Sequence, residues 1–455
     1  MTLALLLLAC IGPSLVEETA DPGAEAPDAP DPVEPDDSGE VVTACAADLS
    51  LALTVPERPF DQCDTICLDV VVTCEGSPVA GAEAWIEGEG LGHLIEGKTD
   101  AAGRLSGCVS ALPVGRLNLA AAARAEGNRG QTAGSLDLRP FGYALGLEKP
   151  MELASAILAL PPLVRAPENP VFTAGPEGAW DDAGVLLPTV LRRGEEWLLY
   201  YAGSAATDYE VGLATSTDGL VWERHPSNPL FPAHIDEEGS WQRYATNSPG
   251  AVLVDGQVQL WYTGRSSETG DLALGLATSS DGRSFTEHAD NPVFSPDPAN
   301  SDWEANGVAH PTVVFRDGFY ELWYSTGAHH LGYALSTDGI DWQRSCMGPV
   351  FSAEEVWEQG QVKSADVLYV DGTYYMAYSG GQSGEFQVGW AVSLDGQRWT
   401  RAAEPLLGPG PGESWDENSV LGTSMWLDGD TLWMWYSGTN RTGSGVGLLT
   451  GSLSP

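Results

Sequence analysis

The chain of 455 residues has few basic residues, with 21 lysines and arginines against 64 aspartates and glutamates and a net charge of −43. So few cations leave no basic surface to neutralise phosphates, which argues against a nucleic-acid partner. The chain also lacks an apolar run of about 18 residues, so no transmembrane helix is predicted. A solvated acidic surface opposes self-association, and we therefore expect a monomer.

Aromatic and turn-forming residues are plentiful. The chain contains 16 tryptophans and 14 tyrosines together with 54 glycines and 31 prolines. Aromatic residues favour strands, and glycine and proline favour the turns between them. Because 43% of the residues are hydrophobic, the chain can bury a core. These numbers predict an all-β protein with many short strands.

The N-terminus has the pattern of an export signal. Residues 3–9 form a short apolar run that ends at Cys10, and residues 7–10 resemble the bacterial lipobox. That resemblance implies lipidation of Cys10, with residues 1–10 as the signal peptide. The alternative is a plain signal peptide with an incidental cysteine. Lipoproteins that stay at the inner membrane of enteric bacteria have an aspartate directly after the lipidated cysteine, where this chain has Ile11. By that resemblance we expect a protein of the bacterial outer membrane or cell surface, held only by its lipid.

An acidic segment follows the signal. Residues 17–40 contain ten acidic residues, no basic residue and several prolines, which predicts a disordered linker over residues 11–42. Apart from Cys10, the chain has six cysteines. An even number in an exported protein fits disulfide pairing. The pairing cannot be read from the spacing, and Cys346 is a candidate for a free thiol.

Residues 43–160 are predicted to form a small β-sandwich, because short alternating runs are separated by glycine and proline turns. Three motifs lie in this region: GSPVAGAEA at 76–84, TDAAGR at 99–104 and LPVG at 112–115. They resemble those of carboxypeptidase-regulatory-like and bacterial immunoglobulin-like domains. Such modules serve as stalks or adhesion units, and this region contains no catalytic constellation.

A unit of 54–62 residues recurs five times after residue 170. Its first landmark is a tryptophan, which is residue 180, 241, 303, 357 or 415. Eight residues later comes a slot that is occupied by Pro188, Pro249, Pro311, Ala365 or Thr423. Thirteen residues after the slot comes a tyrosine, which is residue 201, 262, 324, 378 or 436. Four copies continue with a Ser-x-Asp-Gly turn.

Each unit reads as four short strands, and one such sheet cannot bury both of its faces alone. Five sheets arranged around an axis can, so residues 166–455 are predicted to form a five-bladed β-propeller behind the β-sandwich. The repeated tryptophans and tyrosines then pack between blades. The acidic residues that follow the tryptophans recur in four blades, which indicates a structural role for them.

The segment from Trp261 to Gly282, with its repeats, resembles the five-bladed glycosidase superfamily. That superfamily includes arabinanases, β-xylosidases of glycoside hydrolase family 43, invertases, levansucrases and mannoside phosphorylases. The resemblance implies a funnel for a carbohydrate ligand and a catalytic aspartate just before the first slot. The five residues at this place are Leu187, Ser248, His310, Ser364 and Gly422, none of which is a carboxylate. No catalytic residue can therefore be carried over.

Glycoside hydrolysis needs two carboxyl groups across the funnel. The candidates are the carboxylates that break the repeat: Asp182 or Asp366 as base and Glu417 as acid. The polar residues near the slots that break the repeat are candidates for binding the substrate, and they are Arg243, Asn247, Arg265, His310 and Lys363. His329 and His330 follow the tyrosine of the third unit and are expected on the same face as His310.

Two functions remain open. One is a surface lipoprotein that binds and hydrolyses extracellular glycans. The other is a non-catalytic propeller that binds carbohydrate or protein through the same funnel. No cofactor or catalytic metal is predicted, although the three histidines could hold a structural cation in the funnel.

Overall fold

The structure is a computed structural model that describes residues 49–55, 60–61, 66–89, 91–109, 115–125, 128–139, 160–205, 208–267, 270, 272–382 and 384–453. The predicted signal peptide, Cys10 and the acidic linker lie outside these residues. The chain divides into two compact units, residues 13–151 and a unit that includes residues 152–455. Within the described residues, no helix is long and apolar enough to cross a membrane.

The N-terminal unit contains two β-sheets. One sheet has the strands Ser50–Thr54, Ile66–Cys74, Ser77–Pro78 and Arg104–Val109. The other has Phe60–Asp61, Glu83–Gly88, Gly92–Lys98, Gly115–Ala125 and Asn128–Arg139. All strand pairs are antiparallel except that of Phe60–Asp61 with Asn128–Arg139, which is parallel. The β content predicted for residues 43–160 is therefore present.

Alternating side chains of both sheets form one apolar core. Val70 and Val72 of the first sheet are fully buried, as are Ile86 and Ala121 of the second. A disulfide bond between Cys67 and Cys108 joins two neighbouring strands. Cys74 takes part in a disulfide bond, and so does Cys346, which is therefore not a free thiol.

The C-terminal unit is a five-bladed β-propeller, as predicted. Blades one and two contain Gly184–Arg193, Glu196–Ser204, Glu210–Ser216 and Glu223–Arg224, then Ala245–Val254, Gln257–Arg265, Leu272–Ser279 and Thr286–Glu287. Blades three and four contain Val308–Arg316, Phe319–Thr326, Leu331–Ser336 and Gln343–Arg344, then Val362–Val370, Thr373–Gln382, Glu385–Ser393 and Thr400–Arg401. Blade five contains Ser419–Asp428, Thr431–Thr439 and Ser444–Ser452. Short 3-10 helices span Pro298–Asn300 and Val356–Glu358.

The N-terminal residues of the propeller unit close the ring of five blades. Val164–Arg165 and Phe172–Thr173 both pair antiparallel with Ser444–Ser452, the third strand of blade five. The last blade therefore combines residues from both ends of the unit. Opening the ring would break these pairs, which ties the two ends together.

The landmark tryptophan of each unit packs on the landmark tyrosine of the same unit, and in four blades a different aromatic residue joins neighbouring blades. The residue before the repeat tyrosine donates a hydrogen bond to the carbonyl of the Asp-Gly turn in the adjacent blade. These bonds run from Tyr200 to Gly282, Trp261 to Gly339, Trp323 to Gly396 and Trp435 to Gly219. Each of these glycines has a φ of 74–77°, a left-handed conformation that other residues rarely adopt.

The acidic residues after the repeat tryptophans are structural, as predicted. In blade three, Glu304 is fully buried, accepts the Tyr324 hydroxyl at 2.7 Å and pairs with Arg344 at 2.9 Å. Three other blades form the same cluster of acid, tyrosine and arginine, with Asp181, Tyr201 and Arg224, with Glu358, Tyr378 and Arg401, and with Asp416, Tyr436 and Arg165. These carboxylates serve the blades.

Blade two has an equivalent cluster in which the carboxylate is on a different segment of the chain. Gln242 takes the place of the acid, and Glu287 takes the place of the arginine. The Tyr262 hydroxyl lies 2.8 Å from Gln242 Oε1 and 2.7 Å from Glu287 Oε2. The two substitutions keep one carboxylate at the tyrosine, so they compensate for one another.

Candidate functional site: the central channel

The first strands of the five blades surround a central channel, which contains a cavity of about 490 Å³. The residues that line it include the slot residues and the residues on either side of them. Among the described lining residues, Asp366 is the single carboxylate. The channel is thus much less acidic than the chain as a whole, whose net charge is −43.

The residue before each slot has a left-handed backbone. The φ angles are 55° at Leu187, 46° at Ser248, 50° at His310, 49° at Ser364 and 52° at Gly422. The pairing of the first and second strands shifts register at this point in every blade. A bulge of this kind re-aims side chains next to the strand. It therefore shapes the part of the channel where the glycosidase resemblance expects an aspartate.

Side-chain hydroxyl groups accept hydrogen bonds from four of the five bulges. The hydroxyl oxygen of the residue after the repeat tyrosine accepts a hydrogen bond from the backbone N–H of the pre-slot residue in the next blade. These bonds run from His310 to Thr263, from Ser364 to Ser325, from Gly422 to Ser379 and from Leu187 to Ser437. Blade one has Ala202 at the accepting position, so it offers no hydroxyl to Ser248. The bulges are consequently part of the contacts between blades.

Asp366 lies in the channel wall and connects three blades. Its Oδ1 accepts the Thr312 hydroxyl of blade three at 3.2 Å, and its Oδ2 accepts the Met425 N–H of blade five at 2.6 Å. Burial raises the pKa of this carboxyl to about 6, although the two hydrogen bonds oppose the rise. Asp366 can therefore change protonation near neutral pH while it joins the blades.

Asp182 and Glu417 take a different role from Asp366. Asp182 Oδ2 accepts the backbone N–H of Gly178 at 2.7 Å, and Glu417 Oε2 accepts that of Glu413 at 2.5 Å. Each carboxylate thus closes the loop that precedes the first strand of its blade. Neither is among the described residues that line the cavity. The structure does not bring the three catalytic candidates together there, and their catalytic assignment stays a prediction.

Three predicted binding residues contact neighbouring protein groups. Arg265 donates to Asp208 at 2.6 Å, while its buried Nε has no hydrogen-bond partner. Asn247 accepts the Ser248 hydroxyl at 2.8 Å. Arg243 donates to the carbonyl of Ile235 at 3.3 Å. None of the three lines the cavity among the described residues.

His310 and Lys363 lie on adjacent blades. His310 lines the cavity, and Lys363 is only 8% exposed, with its Nζ 4.0 Å from the centre of the Phe386 ring. Burial, followed by the charge of Lys363, lowers the pKa of His310 to about 3. Burial, Lys363 and His330 lower the pKa of His329. These histidines are therefore neutral at physiological pH.

Several buried polar atoms of the channel have no partner. Among the described residues they are Arg192 Nε, His310 Nδ1, Ser364 Oγ and Thr423 Oγ1. Buried polar groups are nearly always hydrogen-bonded, so these atoms are candidates for contacts with a polar ligand. The repeat pattern identified Ser364 as a pre-slot residue that is not a carboxylate and Thr423 as a slot residue, and it marked neither as a binding candidate. Their unpaired hydroxyls depend on neighbouring blades and could not be read from the sequence.

The described residues contain no group of three or more histidine, cysteine, aspartate or glutamate side chains arranged to hold a metal ion. The cation considered for His310, His329 and His330 thus has no such group of ligands there. A neutral imidazole could still bind a hydroxyl group or an anion.

Comparison with protein-family models found no match for the chain. An uncharacterized Mycobacterium tuberculosis protein, MT1551, is 27% identical over 239 residues, which are 50% of this chain and 77% of that protein. A 1,2-beta-oligomannan phosphorylase of Thermoanaerobacter is 33% identical over 103 residues, which are 20% of this chain and 34% of the enzyme. The chain therefore matches about a third of the phosphorylase.

Solved structures extend the comparison to the whole propeller. One solved structure belongs to a study of glycoside hydrolase family 130. That family of mannoside phosphorylases contains glycoside hydrolases that target β-1,2 mannosidic linkages in Candida mannan. The solved structure is 18% identical with a TM-score of 0.53, and the match covers 66% of this chain and 96% of that one. The propeller therefore has the same fold as this solved structure. At this identity the likeness concerns the fold, and activity has to be argued from the channel.

Proposed function

We propose that the propeller binds a glycan in its central channel. The observation that carries this proposal is the set of unpaired buried polar atoms there: His310 Nδ1, Ser364 Oγ and Thr423 Oγ1. A sugar has hydroxyl groups at short intervals, each able to donate and to accept. A glycan in the channel would supply partners to several of these atoms at once, which an apolar ligand cannot do.

The names of similar proteins support the ligand class. They include an oligomannan phosphorylase and enzymes that act on mannan. The cavity of about 490 Å³ lies within the range of small-molecule sites. Only one carboxylate lines the described channel, whereas hydrolysis by the usual mechanism needs two. Binding without hydrolysis is therefore the function we favour.

Ser364→Ala is expected to weaken glycan binding, whereas Ser248→Ala is expected to leave it unchanged. Both serines precede a slot, have similar positive φ angles and are buried. The Ser364 hydroxyl is unpaired, while that of Ser248 already donates to Asn247. Loss of one hydrogen bond to a sugar should cost about 1 kcal/mol, roughly a fivefold loss of affinity.

Binding would be measured as thermal stabilisation by arabino-, xylo-, fructo- and manno-oligosaccharides, with the two serine variants compared on each responding sugar. Product analysis on the same samples separates binding from turnover. Equal effects of the two substitutions, or no stabilisation by any sugar, would contradict a glycan site at Ser364.

A catalytic role is the second candidate, and Asp366 is the observation in its favour. Its carboxyl group lies in the channel, and burial raises its pKa to about 6, which suits a general acid. An enzyme with one channel carboxylate could use phosphate as the nucleophile in place of a water that a second carboxylate must activate. The Thermoanaerobacter relative is a phosphorylase. Sugar phosphates that form only when phosphate is added would support this alternative.

We also propose that the protein is exported and anchored by a lipid on Cys10. The support is the apolar run of residues 3–9 that ends at this cysteine. In a bacterial host, Cys10→Ser is expected to abolish incorporation of labelled fatty acid and to release the protein from the membrane fraction. Cys346→Ser serves as the control, because that cysteine lies in the propeller. Unchanged labelling of the Cys10→Ser variant would refute the anchor.

A further inference from the structure

The central cavity continues from the pre-slot residues to the other end of the first strands. In blade three its wall runs from His310 to Phe315 and Arg316, and in blade four it runs from Ser364 to Tyr369. A strand rises about 3.3 Å per residue, so the two ends of this wall are roughly 17 Å apart. One cavity therefore connects the unpaired polar atoms of the proposed glycan site with a second region at the C-terminal ends of the first strands.

That second region is here called the C-terminal mouth, and Arg192, Leu253, Phe315, Tyr369 and Trp426 form it. Its three aromatic residues come from three successive blades. Phe315 is 38% exposed, and it is the one exposed aromatic side chain of the described residues. Each of the three rings packs on a buried aromatic ring, which is that of Tyr320, Tyr374 or Trp197. The blades thus hold the rings of the mouth in place.

These aromatic residues do not belong to the repeat. Four residues after the slot, the five blades have Arg192, Leu253, Phe315, Tyr369 and Leu427. Trp426, one residue earlier in its unit, stands where the other four blades have an aliphatic residue. Packing between blades therefore does not require an aromatic ring at either position. Exposed aromatic rings that the fold does not need are typical of binding surfaces.

The inner wall of the cavity is polar as well as apolar. The first strand stands at the edge of its sheet in every blade, and an edge strand presents N–H and C=O groups that have no strand partner. Some of these groups bind side chains of a neighbouring blade: the Val190 N–H donates to Ser424 Oγ, and the Met425 N–H donates to Asp366. A ligand in this cavity therefore meets polar groups inside and aromatic rings at the C-terminal mouth.

We propose that a linear oligosaccharide enters the channel at the C-terminal mouth, with one sugar ring stacked on Phe315 and the chain extending inward to Ser364. A sugar ring has an apolar face and a rim of hydroxyl groups, so it matches both the aromatic rings and the polar wall. Arg192 adds a hydrogen-bond donor beside the rings, because its Nη1 donates to Asp428 while its Nε has no partner.

This inference rests on the proposed glycan-binding function and adds two features to it. The first is the end of the channel that the glycan uses. The second is the ligand class, which is a chain of sugars rather than a single sugar. A single sugar reaches either Ser364 or Phe315, whereas a chain reaches both across the roughly 17 Å of the wall.

The test uses the full-length protein and calorimetric titration with arabino-, xylo-, fructo- and manno-oligosaccharides, each compared as a monosaccharide and as a hexasaccharide. Phe315→Ala is expected to lower the affinity for the hexasaccharide of a responding sugar about tenfold, because the stacked sugar loses its apolar contact. Ser364→Ala should lower the same affinity, and the two losses should add because the residues are far apart. The monosaccharide should respond to at most one of the two substitutions.

Tyr244→Ala is the matched control. Tyr244 is half-buried, precedes the first strand of blade two at the opposite end of the channel, and does not line the described cavity. This variant should bind as the wild type does, and so should Phe315→Tyr, which keeps the ring. If Phe315→Ala does not fold, Phe315→Leu replaces it, because leucine keeps apolar contact with Tyr320 but offers no flat ring. Phe315→Leu should also weaken binding of the hexasaccharide.

The outcomes separate this inference from the proposed function. If sugars bind and Phe315→Ala leaves their affinity unchanged, the inference is wrong and glycan binding stands. A loss caused by Tyr244→Ala instead would mean that the glycan uses the opposite end. If the hexasaccharide binds no more tightly than the monosaccharide, the ligand is not a chain. If no sugar binds, and sedimentation shows a dimer that Phe315→Ala dissociates, the mouth is a self-association surface and both proposals fail.

Discussion

Exchanging the charges of the buried cluster in blade three is expected to produce strong compensation. Glu304→Gln leaves Arg344 without its carboxylate, and Arg344→Glu places a second carboxylate beside Glu304. Each single change should lower the free energy of unfolding by about 3–5 kcal/mol, because it leaves an uncompensated buried charge. The double variant should regain at least half of the summed loss.

Blade two supplies the reason for this expectation, since it already carries the exchanged pair as Gln242 and Glu287. There the tyrosine hydroxyl lies within hydrogen-bond distance of both side chains. The recovery in blade three stays incomplete for two reasons. Arg344 also donates to the carbonyl of Ser295 and lies over the Phe294 ring, contacts that a glutamate cannot replace.

Urea unfolding of the wild type, the two single variants and the double variant gives the coupling energy directly. The matched control is the reverse exchange in blade two, Gln242→Glu with Glu287→Arg, which restores the common pattern and should be tolerated. Additive losses in blade three would mean that the acid and the arginine act independently. The cluster would then not be the unit that the five blades share.

The sequence predicted the propeller well because the residues that repeat make the same packing contacts in each blade. Trp261, Trp323 and Trp435 recur at one offset, and each donates to the turn glycine of the adjacent blade. A contact made in almost every blade imposes the same residue in each, so it becomes visible as a period. The recurrence of the acidic residues predicts their structural role for the same reason.

The channel was harder to predict, because its chemistry depends on contacts that occur once. Asp182 and Glu417 break the repeat, yet each accepts a backbone N–H from its own loop. Ser248 and Ser364 occupy equivalent positions, and only the latter has an unpaired hydroxyl in the described structure. Departure from a repeat therefore locates unusual residues without showing which neighbours they meet.

Asp366→Asn is expected to make the propeller more stable at pH 7.5. Asparagine keeps the shape and an acceptor for the Met425 N–H, and its amide can donate to the Thr312 hydroxyl. It removes the buried negative charge. Because the folded-state pKa is raised from 3.8 to about 6, the folded protein holds this proton more tightly than the unfolded chain does. Wild-type stability is therefore lost as the pH rises from about 4 to 6.

A rise of about two pKa units corresponds to roughly 3 kcal/mol, which is the largest gain expected at pH 7.5. The gain should shrink toward pH 4, where wild-type Asp366 is protonated. Asp218→Asn is the control of opposite sign, since backbone hydrogen bonds from Val221 and Leu220 lower the Asp218 pKa. Its effect at pH 7.5 should be a loss of stability that fades in acid.

Asp366→Ala completes the series, because it removes both acceptor atoms and leaves the Met425 N–H unpaired. It should be less stable than Asp366→Asn by about 1–3 kcal/mol at every pH, as expected for an unsatisfied buried donor. Thermal unfolding between pH 4 and 8 gives all three comparisons. If Asp366→Asn is instead less stable than the wild type at pH 7.5, the ionised carboxylate contributes net attraction across the channel. If the variant is stable but a sugar-cleaving activity of the wild type disappears, Asp366 is catalytic, and the enzyme hypothesis replaces simple binding.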